Sequence, residues 1–264
     1  MAKYDRFWRI VFLIIPLTLF VIIVIGPLLY SFYYSFTNWN GFNPNYKFVG
    51  FYNFFKVFKD PLFANAIQNT LIWTISAIVI PTLFGLFLAL MLDTNIKGSN
   101  FYKSIFYLPI CLSPIVVGQI WIWIYQPTWG LLNTNLVNLG LEDWTLAWLA
   151  NPQTSLYAVI IAWSWQQTGL SMVIYLSGLT TIPEDLLEAA EIDGAGKLRK
   201  IWNIIIPLLK SSTVVVVALS VINSLKGFDI VYIMTGGGPF HSSDTLAIFM
   251  YNESFKKYLM GYGS

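Results

Sequence analysis

The sequence predicts an all-α polytopic membrane protein. Three observations carry that expectation. Of its 264 residues, 56% are hydrophobic and 11% charged. Five apolar runs each reach the length of a bilayer-spanning helix. The remaining charges gather between those runs. Soluble domains carry about 25% charged residues, so this chain cannot clothe a water-facing surface, and lipid is its expected solvent. The net charge of +2 gives no footing for nucleic acid.

A spanning helix needs about 20 mostly apolar residues, and the runs 10–32, 67–92, 101–125, 156–179 and 211–234 meet that length. The first exceeds the roughly 7–15 residues of a signal-peptide core and has no small-residue cleavage pattern after it, so it reads as a span. The third contains LPICLSP, and the fifth carries the β-branched block TVVVV. A mixed stretch, 246–255, is too short to span. Pro16, Pro27, Pro81, Pro109 and Pro114 lie within or near the runs. Membrane helices accept proline where neighbours satisfy the freed carbonyls, so the expected product is a bundle of kinked helices around an internal path, one transmembrane domain over 1–264.

Lys and Arg set the orientation. With a cytoplasmic amino terminus, Lys3, Arg6, Arg9, Lys97, Lys103, Lys197, Arg199, Lys200 and Lys210 fall inside. Lys47, Lys56, Lys59, Lys256 and Lys257 fall outside, a bias of nine against five. The protein is therefore expected to be multi-pass, with its amino terminus in the cytoplasm.

The most charged segment, 181–209, reads TIPEDLLEAAEIDGAGKLRKIWNIIIPLL. Thr181 and Glu184 have capping-box spacing, and Pro183 suits a first turn. Pro183, Leu186, Leu187 and Ala190 share one helical face, with acids on the rest of the surface favouring the helix start. Gly194 and Gly196 end the helix, and a second begins near Lys197 and re-enters the apolar phase through Ile204, Ile205 and Ile206. A short helix with a small apolar face ringed by acids fits a groove on another protein; a solvated interfacial helix has the same pattern.

In the fifth run, Ser220, Asn223, Ser224 and Gly227 recur at i, i+3, i+4, i+7 as a small, polar stripe. Such residues serve helix packing as well as a solute path. Lys226 and Asp229 follow, three residues apart and able to pair on one helical face; charges at that depth usually face a cavity or a partner. In the fourth run, Trp163, Trp165, Gln166, Gln167 and Thr168 cluster near the middle. Amides beside indoles suit a sugar, whose hydroxyls want hydrogen bonds while its apolar face packs on a ring. A tryptophan belt at the lipid interface is the other use of such residues. Gly236–Gly237–Gly238–Pro239 lacks the Lys-Ser/Thr of a phosphate loop and reads as a tight external turn. The lone His241 reads as a surface-loop residue, and the lone Cys111 leaves no intrachain disulfide. Neither a Walker motif nor a catalytic constellation is found.

The segment EAAEIDGAGKLRKIWNIIIPLL resembles the EAA loop of ABC importer permeases. Glu188, Ala189, Ala190, Asp193, Gly194, Ala195, Ile204 and Pro207 fall on its pattern. SFTNWNG, FVGFYNFFKVF, FYLPICLSP, QPTWGLLNTNL and FDIVYIMTGGGP, with SSDTLAIFMYNESF, resemble the branch for sugars and glycerol phosphates. This resemblance implies a type I ABC importer transmembrane domain with a coupling helix, a subunit of the prokaryotic cytoplasmic (inner) membrane that is not itself an enzyme. It implies that Glu188, Ala189, Ala190, Asp193, Gly194 and Ala195 contact a cytosolic ATPase. It further implies a sugar cavity on the fourth and fifth runs without identifying its residues; the polar stripes read above make Trp163, Gln166, Gln167, Ser220, Asn223, Ser224 and Gly227 the candidate lining. The implied partners are a second homologous permease, two ATPase subunits and an extracellular or periplasmic solute-binding protein. ATP and Mg belong to the ATPases, so no cofactor is expected on this chain. Family members have a sixth span, expected here beyond Ser264. Amino acids, polyamines or glycerol phosphate are alternative solutes. An ion-coupled secondary transporter, which would show paired intramembrane acids and inverted repeats, is the alternative from another class.

Overall fold

A computed structural model describes residues 2–93 and 98–264, with side chains described at residue 8 and from residue 10 onward within those ranges. In chain order, α1 (Ala2–Phe20) continues through a π-helical turn at Val21–Ile25 into α2 (Gly26–Tyr34). Then come α3 (Tyr52–Val57), α4 (Pro61–Leu92), α5 (Ser99–Tyr107), α6 (Pro114–Ile124), α7 (Leu131–Asn138) and α8 (Ser155–Leu179). The rest are α9 (Glu184–Ile192), α10 (Lys197–Lys200), α11 (Ile206–Leu208), α12 (Lys210–Leu225), α13 (Phe228–Met234), α14 (Leu246–Tyr251) and α15 (Met260–Gly263). Among the described residues the one extended pairing is an isolated antiparallel bridge, Thr37 to Phe48. Of the basic residues that set the expected orientation, Lys97 and the side chains of Lys3, Arg6 and Arg9 lie outside the described residues.

Among the described residues, two helices are long and apolar enough to cross a membrane alone, Ile10–Tyr34 and Pro61–Leu92, and two more are added if each bent helix pair is one span. The first two correspond to the runs 10–32 and 67–92. The run 156–179 forms a single helix, α8, whose 25 residues suffice in length; the polar middle at Trp163–Thr168 lowers its hydropathy.

The third and fifth runs depart from expectation. Instead of one span over 101–125, α5 and its 3₁₀ continuation Leu108–Cys111 bend by 103° into α6. Leu112 (ψ 146°) and Ser113 (ψ 150°) are extended, because proline at 114 pushes the residue before it out of the helical region. The run 211–234 divides into α12 and α13 at Lys226 and Gly227. Upstream of it, Lys197–Leu208 bends by 65° into α12.

The helices group into two compact units, Met1–Ala64 with Phe249–Ser264, and Asn65–Ile248. In the first, an aromatic cluster closes the end of α2: Tyr34 stacks on Trp39 with centroids 4.1 Å apart, and Phe36 meets Phe51 and Phe54 at 5.4 and 5.2 Å. Asn53 Nδ2 donates to the carbonyls of Ser35, Thr37 and Gly261 at 2.8, 2.8 and 3.0 Å, fastening α3 and α15 to the chain that leaves α2.

In the second unit α8 is the central post. One core packs Val159, Ala162 and Trp163 against Trp73, Val117, Ile230 and Val231. The other packs Met172, Tyr175 and Leu179 against Ala89, Leu209 and Val216. Gly169 lets α8 approach the third run closely: a Cβ there would lie 2.4 Å from the Phe106 carbonyl oxygen, the use to which membrane interfaces put small residues. The Gly236–Pro239 stretch forms a turn, with φ of +59° and +92° at Gly236 and Gly237. His241 Nδ1 lies 2.5 Å from Asp244 Oδ2 with its ring half-exposed.

Candidate functional site

Between the two cores of α8 lies a cavity of about 310 Å³. Three elements wall it. The middle of α8 supplies Trp163, Gln166 and Gln167. The break in the fifth run supplies Asn223, Lys226, Gly227, Asp229 and Ile230. The break in the third run supplies Ile110, Leu112 and Pro114. Each break exposes backbone groups that a continuous helix would use up, and in a membrane such irregular backbone survives only where protein or a cavity satisfies it.

The structure shows how that is done. Gln166 Nε2 donates to the Leu112 carbonyl at 2.8 Å. Ser113 caps α6, its hydroxyl accepting from the Val116 N–H at 3.4 Å, the ordinary service of an N-cap serine. At the other break, Trp73 Nε1 donates to the Ser224 carbonyl at 3.1 Å. A Cβ at Gly227 would sit 3.0 Å from the Trp73 ring, so glycine permits the close approach. Trp73 also packs on Trp163, with centroids 5.5 Å apart. Asn223 Nδ2 approaches Gln167 Oε1 at 3.4 Å. Gln166 Oε1 is buried without a hydrogen-bond partner among the described residues.

Of the seven residues expected along a solute path, the cavity gathers Trp163, Gln166, Gln167, Asn223 and Gly227. Ser220 and Ser224 are buried away from it. The Ser224 hydroxyl donates to the Val221 carbonyl at 2.8 Å and lies 3.3 Å from Thr74 Oγ1, so this residue serves helix packing. The expected Lys226–Asp229 pair is not formed among the described residues, although both side chains line the cavity. The helix breaks between them, so three-residue spacing no longer places them on one face. Ile110, Leu112 and Pro114 were not foreseen. The two prolines of LPICLSP are the available signal, and in sequence they indicate a kink rather than a wall.

At the other end of the second unit, α9 buries none of its residues. The expected capping box does not form: α9 starts at Glu184 with Pro183 as N-cap, and the Thr181 hydroxyl donates back to the Gly178 carbonyl at 2.7 Å. The expected apolar face also splits. Leu187 packs against the second core, while Leu186 stays 47% exposed. The stop at Gly194 holds: Gly194 has φ +78°, its N–H donates to the Glu191 carbonyl at 3.0 Å, and the Ala195 N–H donates to the Ala190 carbonyl at 2.8 Å, the two bonds of a Schellman motif. Glu188, Ala189, Asp193 and Gly194 are exposed, and Ala190 and Ala195 half-buried. Lys200 hydrogen-bonds and pairs with Glu191, and that contact holds the Glu191 carboxyl below its ordinary value. Ile192, Leu198 and Trp202 add outward apolar surface at 87%, 73% and 67% exposure.

Residues 81–262 match the family model described as binding-protein-dependent transport system inner membrane component. A probable ABC transporter permease protein of Pyrococcus horikoshii is 37% identical over 260 residues, covering 98% of this chain and 89% of the relative. The multiple sugar-binding transport system permease protein MsmF of Streptococcus mutans is 33% identical with the same coverage. A crystal structure of a bacterial alginate ABC transporter, in complex with an alginate pentasaccharide-bound periplasmic protein, contains a chain that superposes with a TM-score of 0.85. That match is at 22% identity over 99% of this chain and 88% of the other, and it shows the same fold. On the family match and these identities, the chain belongs to the binding-protein-dependent transport system inner membrane components: it is an ABC importer permease, a transport subunit and not an enzyme.

Proposed function

We propose that this permease moves a carbohydrate across the cytoplasmic membrane of a prokaryote by alternating access. The carrying observation is the cavity at the two helix breaks. Its polar surface comes from the amides of Gln166, Gln167 and Asn223 together with Lys226 and Asp229, and its apolar surface includes the Trp163 ring. Amides supply both donors and acceptors to hydroxyls, and an indole supplies a face for the sugar's C–H side. The Streptococcus mutans relative, a multiple sugar-binding transport system permease protein by name, supports a sugar.

In this proposal the amino terminus is cytoplasmic, so the segment 181–209 faces the cytosol. Glu188, Ala189, Ala190, Asp193, Gly194 and Ala195 then meet one of two ATPase subunits, which bind ATP and Mg. A homologous permease completes the pathway, and a solute-binding protein delivers the sugar from outside. Closure of the ATPases pushes α9, whose turn at Gly194 passes the displacement through α10 and α11 to α12, one wall of the cavity.

The test is ATP-dependent uptake in vesicles carrying the whole importer, measured with a panel of neutral mono- and oligosaccharides beside amino acids and a polyamine. A sugar is expected to be taken up, with Gln167→Leu and Asn223→Leu each lowering its uptake about tenfold or more, since each leaves a substrate hydroxyl unpaired. Uptake of an amino acid or polyamine but no sugar would overturn the proposal.

A further inference from the structure

Transport as proposed makes no use of one surface in the first unit. Along α3 and its flanks the usual distribution is reversed. Asn53 points inward to three carbonyls, while Phe51, Tyr52, Phe55 and Phe58 stand outward at 63–74% exposure. Lys56 and Lys59 are exposed beside them. Tyr52, Phe55, Lys56, Lys59 and Asp60 line a notch of about 470 Å³. Asp60 does not cancel the lysines by pairing: its Oδ1 accepts from the Leu62 N–H and its Oδ2 from the Tyr262 hydroxyl, both at 2.9 Å. Lys56 Nζ lies 4.7 Å over the Tyr262 ring, and Lys59 has no ion pair among the described residues.

The place of this surface says what covers it. The apolar helix Ile10–Tyr34 has none of its most apolar window buried within the chain. At 1.5 Å per residue its 25 residues run roughly 37 Å, longer than the ~30 Å hydrocarbon core, so its ends reach the headgroups. Tyr30, Tyr33, Tyr34, Trp39 and Tyr46 cluster at one end, the composition of an interfacial aromatic belt. Phe36, just past that end, holds Phe51 and Phe54. The outward face of α3 is thereby fixed at the boundary where acyl chains meet phosphates. A face that is aromatic and cationic, with two lysines against the one carboxylate of Asp60, matches that boundary in both its layers.

We propose that residues 51–60 bind an anionic phospholipid, its phosphate between Lys56 and Lys59 and its acyl chains against Phe55 and Phe58. A soluble partner protein is the competing occupant, and it is disfavoured because the bare span that brings lipid to the segment belongs to the same unit.

Two measurements on the full chain in membranes test this. In the first, lipid retained after detergent exchange is read by native mass spectrometry in mixed phosphatidylglycerol and phosphatidylcholine. A basic residue near an anionic surface contributes about fivefold in affinity. Lys56→Gln and Lys59→Gln are each expected to weaken phosphatidylglycerol retention by that factor, and the pair about 25-fold, with phosphatidylcholine unmoved. In the second, both lysines are kept and an environment-sensitive dye is placed at Phe55→Cys in a Cys111→Ser background. Emission is expected to be blue-shifted, and quenched by nitroxide-labelled lipid in vesicles holding no other protein. The proposal is overturned if the double lysine variant keeps its lipid preference, or if excess inorganic phosphate displaces the lipid. It is also overturned if the dye stays open to aqueous iodide and becomes shielded only when the solute-binding protein is added.

Discussion

Two helices of the second unit use their side chains in opposite senses. α8 turns polar groups inward, and the fold gives most of them partners: Gln166 on the Leu112 carbonyl, Tyr175 on Thr213 at 3.2 Å, Gln167 on Asn223. α9 and the following α10 present apolar groups outward, with Leu186, Ile192 and Leu198 exposed. The inward polar groups Gln166 and Gln167 line the cavity together with Asn223, the space proposed for a small solute. Outward apolar surface on a short helix marks a face to be completed by another chain. Damage to α8 should therefore appear in the stability of the isolated chain and in solute recognition. Damage to α9 should appear in assembly.

The largest stability effect is expected at Trp163. It is 4% exposed and packed on Trp73, so Trp163→Ala should cost about 3–5 kcal/mol in denaturant unfolding of the purified chain in detergent. Leu186→Ala should stay within experimental error in the same assay, and equal losses at the two sites would break the contrast. Next is Gln166→Leu. It strands the Leu112 carbonyl at the bend and should cost about 1–3 kcal/mol, together with a raised KM for the transported solute; an unchanged KM would separate the amide from the path. Third is Gly194→Val. With φ at +78°, a β-branched residue there costs roughly 1–2 kcal/mol, read as a lower unfolding midpoint, and transport should fall further than that loss explains.

The smallest effect is the Glu191–Lys200 pair. Lys200 depresses the Glu191 pKa, so the folded state gains above the ordinary glutamate value and loses that gain as pH falls through the depressed one. Thermal midpoints of wild type and Glu191→Gln should differ by a small, constant amount at neutral pH and converge at acid pH. Added salt should narrow the neutral-pH gap; a gap that widens toward acid would contradict the pairing.

The legible parts of the molecule were those fixed by neighbours in sequence. The first, second and fourth runs, the stop at Gly194 and the polar middle of α8 follow from local composition and glycine's backbone freedom. The breaks were illegible as breaks: LPICLSP is apolar enough to pass as helix, and hydropathy averages the short polar NSLKGFD into the apolar stretches on either side. What turns them into cavity walls is a contact 54 positions away, Gln166 to Leu112, and the Trp73 ring against Gly227. The capping box failed for a related reason. Thr181 has a competing acceptor in the Gly178 carbonyl, and Pro183, extended at ψ 130°, occupies the N-cap position itself.

The most direct test of the division of labour is co-purification of the ATPase subunits with a permease carrying Glu188→Lys, beside one carrying Gln167→Leu. The charge reversal is expected to abolish ATPase retention while membrane insertion and the unfolding midpoint stay at wild-type values. The cavity substitution is expected to retain the ATPases and lose uptake. A Glu188→Lys permease that assembles and transports normally would contradict the assignment of α9 as the coupling helix.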